Sequence, residues 1–261
     1  MVVVSAVVFV EPVRTSRTFE AAIENLLEGI EGARLRLDDR LPTEEQLAGQ
    51  LGISKPTLRQ ALRVLERSGL LRVRAGKGGG IFIASDVVPV DAITHNVEVE
   101  AWDAVDVLRG RRVLEGAVTV MAAHSATEED YAGIERTNEL LRRNIGDRPR
   151  VMGANAMFHR AVIRACHSKS MQSAMRNLEG ELAAIRDTYQ GGRENDEETL
   201  EIHERQVEAM RRRDMPALAA ILDEHFRMLE ENYAKALHRR WENLFGEVSE
   251  QTLRLGATPD A

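Results

Sequence analysis

Residues 41–84 read LPTEEQLAGQLGISKPTLRQALRVLERSGLLRVRAGKGGGIFIA, and the order of signals in this stretch decides the fold of the N-terminal third. Thr43 followed by Gln46 is a capping box, in which the hydroxyl and the amide each satisfy a backbone donor left open at a helix start. The helix it opens, EEQLAGQLG, is short and ends at Gly52. Ser54 caps the next helix, KPTLRQALRVLERSG, whose Pro56 lies in the first turn, where a missing N–H costs nothing. Gly69 closes it. Leu58, Ala61, Leu62 and Leu65 make one apolar face, while Lys55, Arg59 and Arg63 recur every four residues on another. Two short β-like runs follow, LLRVR and IFIAS, joined by AGKGGG, whose glycines permit a tight reversal. Upstream, Phe19, Ile23, Leu26, Leu27 and Ile30 predict a further helix over about Thr18 to Glu31. Short helices, a Gly-containing turn, a basic helix and a hairpin, in that order, make a winged helix-turn-helix over residues 18–85.

Charge is distributed to match. The chain has 261 residues and a formal net charge of −7. Yet between Lys55 and Lys77 the charged residues are Lys55, Arg59, Arg63, Arg67, Arg72, Arg74 and Lys77 against Glu66 alone. A basic patch on an acidic chain predicts one nucleic-acid-facing surface and a separate acidic body. A single cysteine, Cys166, cannot form an internal disulfide and fits a reducing, cytoplasmic setting. The apolar run in MVVVSAVVFVEP is too short to span a bilayer and has no basic start, so residues 1–17 read as a flexible tail and no membrane partner is expected.

The remainder is predicted to be all helix. Residues 86–100, DVVPVDAITHNVEVE, read as a linker. From Ala101 to Phe245 helical patterns follow one another, with caps at Thr127 and Thr199 and breaks at Gly191–Gly192 and Asp214–Pro216, and residues 246–261 read as a tail. The fold class is therefore mainly α: an N-terminal winged helix-turn-helix and a C-terminal bundle of six or seven helices.

Three histidines in the helical half fall on apolar faces. His159 lies four residues after Asn155 and beside Phe158 and Val162; His203 shares a stripe with Leu200, Val207 and Met210; His225 shares one with Leu218, Ile221, Leu222 and Leu229. His203 and His225 each stand eleven residues from Asp214. In a helical hairpin turning there, each is about 16 Å from the turn, at the same height as the other. A buried histidine is ordinarily a hydrogen-bonded core residue, but three inward ones, two of them levelled by a hairpin, favour a metal site. His95, His124, His167 and His238 show no such pattern. Arg111, four residues before Glu115, is open to two readings: a clasp for a carboxylate, or one half of a surface ion pair.

Residues 41–84 resemble the winged helix of GntR-family bacterial transcription regulators. The resemblance implies that Ser54, Lys55, Thr57 and Arg59 begin the recognition helix and that Gly76 and Lys77 form the wing tip. Those roles suit the residues: Arg59 can grip a guanine edge bidentately, and Ser54, Lys55 and Thr57 surround a helix N-terminus that favours phosphate. The family carries Arg after the Glu of its LP-x-E-R motif, where this chain has Glu45, so an altered operator preference is expected. The segments RRVLEGAVTVMAA (111–123), NAMFHRAVIRAC (155–166), IHERQVEAMRRRD (202–214) and LDEHFRMLEENY (222–233) resemble the FCD domain of FadR-like members. In metal-binding members of that group one Asp and three His hold the ion. The match implies His159, His203 and His225 as ligands, with Asn155 in the place of the Asp, and Arg111 as an inward residue for a small carboxylate effector. Zinc is the first expectation for the metal, with nickel and manganese as alternatives.

The reading that follows is a cytoplasmic, ligand-responsive transcription regulator that binds a palindromic double-stranded operator as a homodimer, a repressor released by a small carboxylate. Two alternatives stand beside it. One is a metal-dependent hydrolase with an accessory DNA-binding domain, because three histidines and an open position can activate water; against it, no carboxylate is clearly placed as a general base, and Glu204 points away from its neighbour His203. The other is a helical half that serves only to dimerise.

Overall fold

The structure is a computed structural model, and it describes residues 17–33, 35–76, 78–89, 101–189 and 193–254. Lys77, the tail before residue 17, residues 90–100 and the Gly191–Gly192 break lie outside the described residues.

The N-terminal domain comprises α1 (Arg17–Gly32), α2 (Glu44–Leu51), α3 (Lys55–Arg67), β1 (Leu71–Arg74) and β2 (Gly80–Ile83). The caps do the local work. Thr43 accepts from the Gln46 amide, and Gln46 Oε1 accepts from the Thr43 amide at 2.9 Å. Gly52 ends α2 at φ 64°, a conformation that favours glycine. The Ser54 hydroxyl accepts from the Thr57 amide at 3.3 Å and opens α3. That helix closes at Ser68, with Gly69 following at φ 82°. β1 and β2 pair antiparallel with Leu71 opposite Ile83 and Val73 opposite Ile81. Their inward side chains, Leu71, Ile81 and Ile83, join Ile23 and Leu26 of α1 and Leu58, Ala61 and Leu65 of α3 in one core.

Among the described residues the C-terminal domain is a bundle of seven helices: α4 (Ala101–Ser125), α5 (Glu128–Arg143), α6 (Arg148–Ala165), α7 (Lys169–Tyr189), α8 (Arg193–Arg212), α9 (Met215–Ala236) and α10 (Trp241–Arg254). Its core joins Leu108, Val118, Ile134, Phe158, Met210, Phe226 and Tyr233. A buried arginine ties three helices together. Arg112 of α4 donates to both oxygens of Glu230 on α9 at 2.7 and 2.8 Å, and to Asp223 at 2.7 Å. From α10, Trp241 Nε1 donates to Glu230 and the Ser249 hydroxyl to Asp223. These bonds, with the burial of Phe245, carry the helix to Arg254, past the point where the sequence reading began a tail at residue 246.

Two other expectations change. Thr199 is not a cap: α8 starts six residues earlier, and Thr199 is buried inside it. The start of the expected linker is packed rather than free. Val87 and Val88 are buried, and Asp86 pairs with Arg150 at 2.5 Å. Gly153 of α6 makes room for this strap, because a Cβ there would run into the Val88 carbonyl and the Val87 side chain. The two domains also meet along α1, where Ala156 of α6 and Ala183 of α7 join the winged-helix core.

Gly153→Ala is accordingly expected to destabilise the chain by about 1–3 kcal/mol through overpacking, read as a lower urea midpoint in equilibrium unfolding.

Candidate functional site

The candidate DNA-reading surface lies at the start of α3. Ser54, Lys55 and Arg59 are exposed and Thr57 is half-buried, with the Ser54 and Thr57 hydroxyls 2.7 Å apart. Gly76 stands exposed in the wing turn at φ 88°, where a side chain would be strained. The two basic candidates are not free. Arg59 Nε donates to Glu44 at 2.7 Å, and Lys55 Nζ to Glu45 at 3.3 Å. Glu45 is 81% exposed, so its carboxylate stands on the same outer surface as Lys55. Sequence reasoning singled out Glu45 and missed Glu44. The signal for Glu44 lay in the turn between α2 and α3, which folds residue 44 back beside residue 59.

The second site lies inside the helical bundle. Equal spacing from Asp214, which caps α9 by accepting from the Ala217 amide, brings the His203 and His225 rings to 4.9 Å between centroids. The His159 ring lies 5.5 Å from His203 and 5.1 Å from His225. One ring nitrogen from each falls within 4.8 Å of the others, and all three residues are buried. His203 stacks on Phe158 at 3.5 Å, nearly parallel.

Each ring is neutral. Burial, then the charge of Arg186, pushes His159 down to about 4; burial, then the neighbouring histidines, drives His203 and His225 well below the usual imidazole range. Hydrogen bonds fix the tautomers of two of them. His159 Nδ1 donates to Glu115 Oε1 at 2.6 Å, so the lone pair is on Nε2, which is buried with no hydrogen-bond partner. His225 Nδ1 donates to Gln206 Oε1 at 3.4 Å. Both nitrogens of His203 are buried without a partner. Three imidazoles converging from three helices, with unpartnered nitrogens on His159 and His203, are a donor set that suits a divalent cation, and a carboxylate on the far side of one ring is the usual second support of such a ligand.

Glu115 is the hinge of this arrangement. Its Oε2 accepts from Arg111 Nε at 2.8 Å, and Arg186 comes within 3.8 Å. Against a burial that would raise it, Arg111, His159 and Arg186 hold its carboxyl well below the usual carboxylate range. Arg186, buried and beside Arg111, is itself pushed down to about 9. The Arg111–Glu115 pair thus exists, but in the interior rather than on the surface, with both side chains 3% exposed. Arg111, Asn155, Arg186, Thr199 and His225 line a narrow cavity of about 20 Å³, room for a water and too little for a metabolite. Sequence reasoning missed Arg186 and Gln206, and saw Glu115 only as a surface partner of Arg111. Arg186 was findable: it extends the Met175–Leu178–Leu182 stripe by one turn, a charge where the pattern asks for an apolar residue.

A family model described as "Bacterial regulatory proteins, gntR family" matches residues 18–82, and the FCD domain model matches residues 106–228. The chain is a GntR-family regulator with an FCD domain. This GntR regulator is 24% identical over 231 residues to the HTH-type transcriptional regulator YcbG of Bacillus subtilis (strain 168), covering 88% of this chain and 96% of that one. It is 29% identical over 140 residues to the Uxu operon transcriptional regulator of Escherichia coli (strain K12), covering 53% and 54% of the two chains. It is 26% identical over 162 residues to the Glc operon transcriptional activator of the same strain, covering 60% and 63%. Among solved structures, E. coli McbR/YncC matches with a TM-score of 0.49 at 20% identity, over 82% of this chain and 98% of that one. The family and these relatives are transcription regulators, so the hydrolase alternative finds no support, and the protein is a DNA-binding regulator and not an enzyme.

Removing the charge of Glu115 leaves two buried guanidiniums poorly compensated. Glu115→Gln is expected to lower unfolding stability by about 3–5 kcal/mol, whereas Glu224→Gln, on an exposed pair with Arg205, leaves the denaturation midpoint nearly unchanged.

Proposed function

We propose that this GntR regulator is a metal-assisted sensor of a small carboxylate, a homodimeric repressor that leaves its operator when the effector binds. The observation that carries the reading is the convergence of three neutral, buried histidines, with unpartnered nitrogens on His159 and His203, beside the paired arginines Arg111 and Arg186. His159 Nε2, His203 and His225 would hold the ion, with the amide oxygen of Asn155 as a fourth, uncharged donor. A bound divalent cation, zinc first and nickel or manganese as alternatives, would supply a Lewis-acidic position for a carboxylate oxygen. Arg111 and Arg186 then orient the rest of that carboxylate. Because the cavity is so narrow, an effector enters only as helices part, and that displacement is the signal.

On the DNA side, a symmetric dimer places one α3 in each half-site of a palindrome in the cytoplasm. Arg59 reads a base edge, Ser54, Lys55, Thr57 and the wing residues Gly76 and Lys77 hold the backbone, and Glu44 and Glu45 must first yield Arg59 and Lys55.

Zinc titration of metal-free protein is expected to reach one ion per chain by elemental analysis, and His203→Ala to abolish uptake. Wild-type protein that takes up no zinc would sink the metal reading. For the DNA face, a duplex selected from a random library is the probe. Arg59→Ala is expected to weaken its binding by about 1–3 kcal/mol with loss of sequence preference. Glu45→Gln should tighten binding to all duplexes, most at low salt. Weaker binding by Glu45→Gln would contradict a repulsive role for that carboxylate.

A further inference from the structure

The seam between the two domains has a charged centre. Glu31, in the last turn of α1, has a side chain only 2% exposed. Arg160 of α6 donates to both of its oxygens, from Nε at 2.9 and 3.2 Å and from a terminal nitrogen as well. Arg164, one turn on, donates to Glu31 Oε2 at 2.7 Å. The remaining terminal nitrogen of Arg160 donates to Glu179 of α7 at 2.6 Å. Against a burial that would raise it, Arg160 and Arg164 keep the Glu31 carboxyl below its ordinary range, so it is an anion held by two cations in the interior. Toward the rim of the same seam, Arg176 reaches Glu28 at 3.0 Å with both side chains about a third exposed.

Around this cluster the helical domain offers the winged-helix core the small side chains of Ala156 and Ala183 and the flexible, half-buried Met157. Small and flexible apolar side chains hold a register loosely; a forked guanidinium bridging both oxygens of a buried carboxylate holds it firmly, because it is directional and the carboxylate has no water to fall back on. The register of α1 on the helical domain is therefore set at Glu31.

The same cluster touches the histidine site. Arg160 is the residue after His159 on α6. Glu115, His159, Arg160, Glu179 and Arg186 line one further narrow cavity, so the groups around the histidines and the groups around Glu31 face a common space. On its other side α1 packs against α3, the DNA-reading helix. We propose that Glu31 is a positioning residue that ties the pose of α3 to the state of the histidine site, an inference that rests on the metal reading above. A shift of α6 that carries the His159 ring carries Arg160 with it. Glu31 must follow, carrying α1 and α3, or remain a buried carboxylate with a broken fork. The second alternative is the costly one, so a small displacement becomes a change of domain pose.

The test is hydrogen–deuterium exchange on the full chain, with and without one equivalent of zinc, and zinc content measured on every sample. In the wild type, zinc is expected to change exchange over residues 22–32 by about threefold or more. Glu31→Gln should still bind one zinc per chain, yet lose that zinc-dependent change; a purely structural role would raise exchange equally with and without zinc. Arg164→Gln, at the half-exposed edge of the cluster, is expected to reduce the response in part and carries the decision if Glu31→Gln does not fold. Glu28→Gln should keep the full response. A full zinc response in Glu31→Gln or in Arg164→Gln overturns the proposal, as does zinc-loaded wild type whose α1 does not respond. Absence of zinc uptake by the wild type removes the metal reading and this inference together, and the zinc content tells that outcome from the others.

Discussion

A carboxylate buried among cations organises the helical domain. Glu115 projects from α4 into the bundle, where one oxygen holds His159 in a single tautomer and the other faces Arg111 and Arg186. Without that anion the two guanidiniums repel each other in a low-dielectric interior, and the His159 ring has nothing to fix which nitrogen faces the other histidines. The bond to His159 and the bond to Arg111 share one carboxyl group. Whatever draws Arg111 or Arg186 away, as an anionic ligand would, alters the support of His159. On the proposed reading, an anion drawn to Arg111 and Arg186 would thereby act on the histidines through Glu115.

The reading face of the winged helix handles charge in the opposite manner. There Glu44 and Glu45 lie toward the surface and pair with Arg59 and Lys55. Exposed pairs of this kind contribute little, about 0–1 kcal/mol, and are readily exchanged for phosphates or base edges. They lower the net positive field of the reading face and so weaken indiscriminate binding, which depends on that field. On the proposed reading, a partly neutralised reading face would gain little from DNA in general and depend on the contacts of a particular sequence.

Much of the fold was legible because it rests on short-range rules. The Thr43–Gln46 and Ser54–Thr57 caps, the Gly52 turn and the period-four stripes of α3 are decided within a few residues, and the structure keeps each of them. The meeting of His203 and His225 was readable for the same reason: two helices joined at Asp214 must bring equal distances to equal heights. The failures were of another kind. Thr199 looks like a cap but is buried within α8, and residues 246–254 look like a tail but are helical because Trp241 and Ser249 find Glu230 and Asp223 on α9. The strap at Val87 and Val88 reads as linker, and only the missing side chain of Gly153 admits it to the bundle.

By itself, the sequence determined the two-domain order, the winged helix, the helical hairpin and the three inward histidines, since periodicity and capping act along the chain. The tertiary structure decided which charges share the interior: Glu115 with Arg111, Arg186 and His159, and Glu31 with Arg160 and Arg164. A charge on a helix looks the same in sequence whether it faces water or the core. Its partner, as far as 133 residues away between Glu31 and Arg164, is chosen by how the helices pack. Burying a charge is tolerable only where packing delivers that partner, so the chemistry of both buried clusters belongs to the assembled fold.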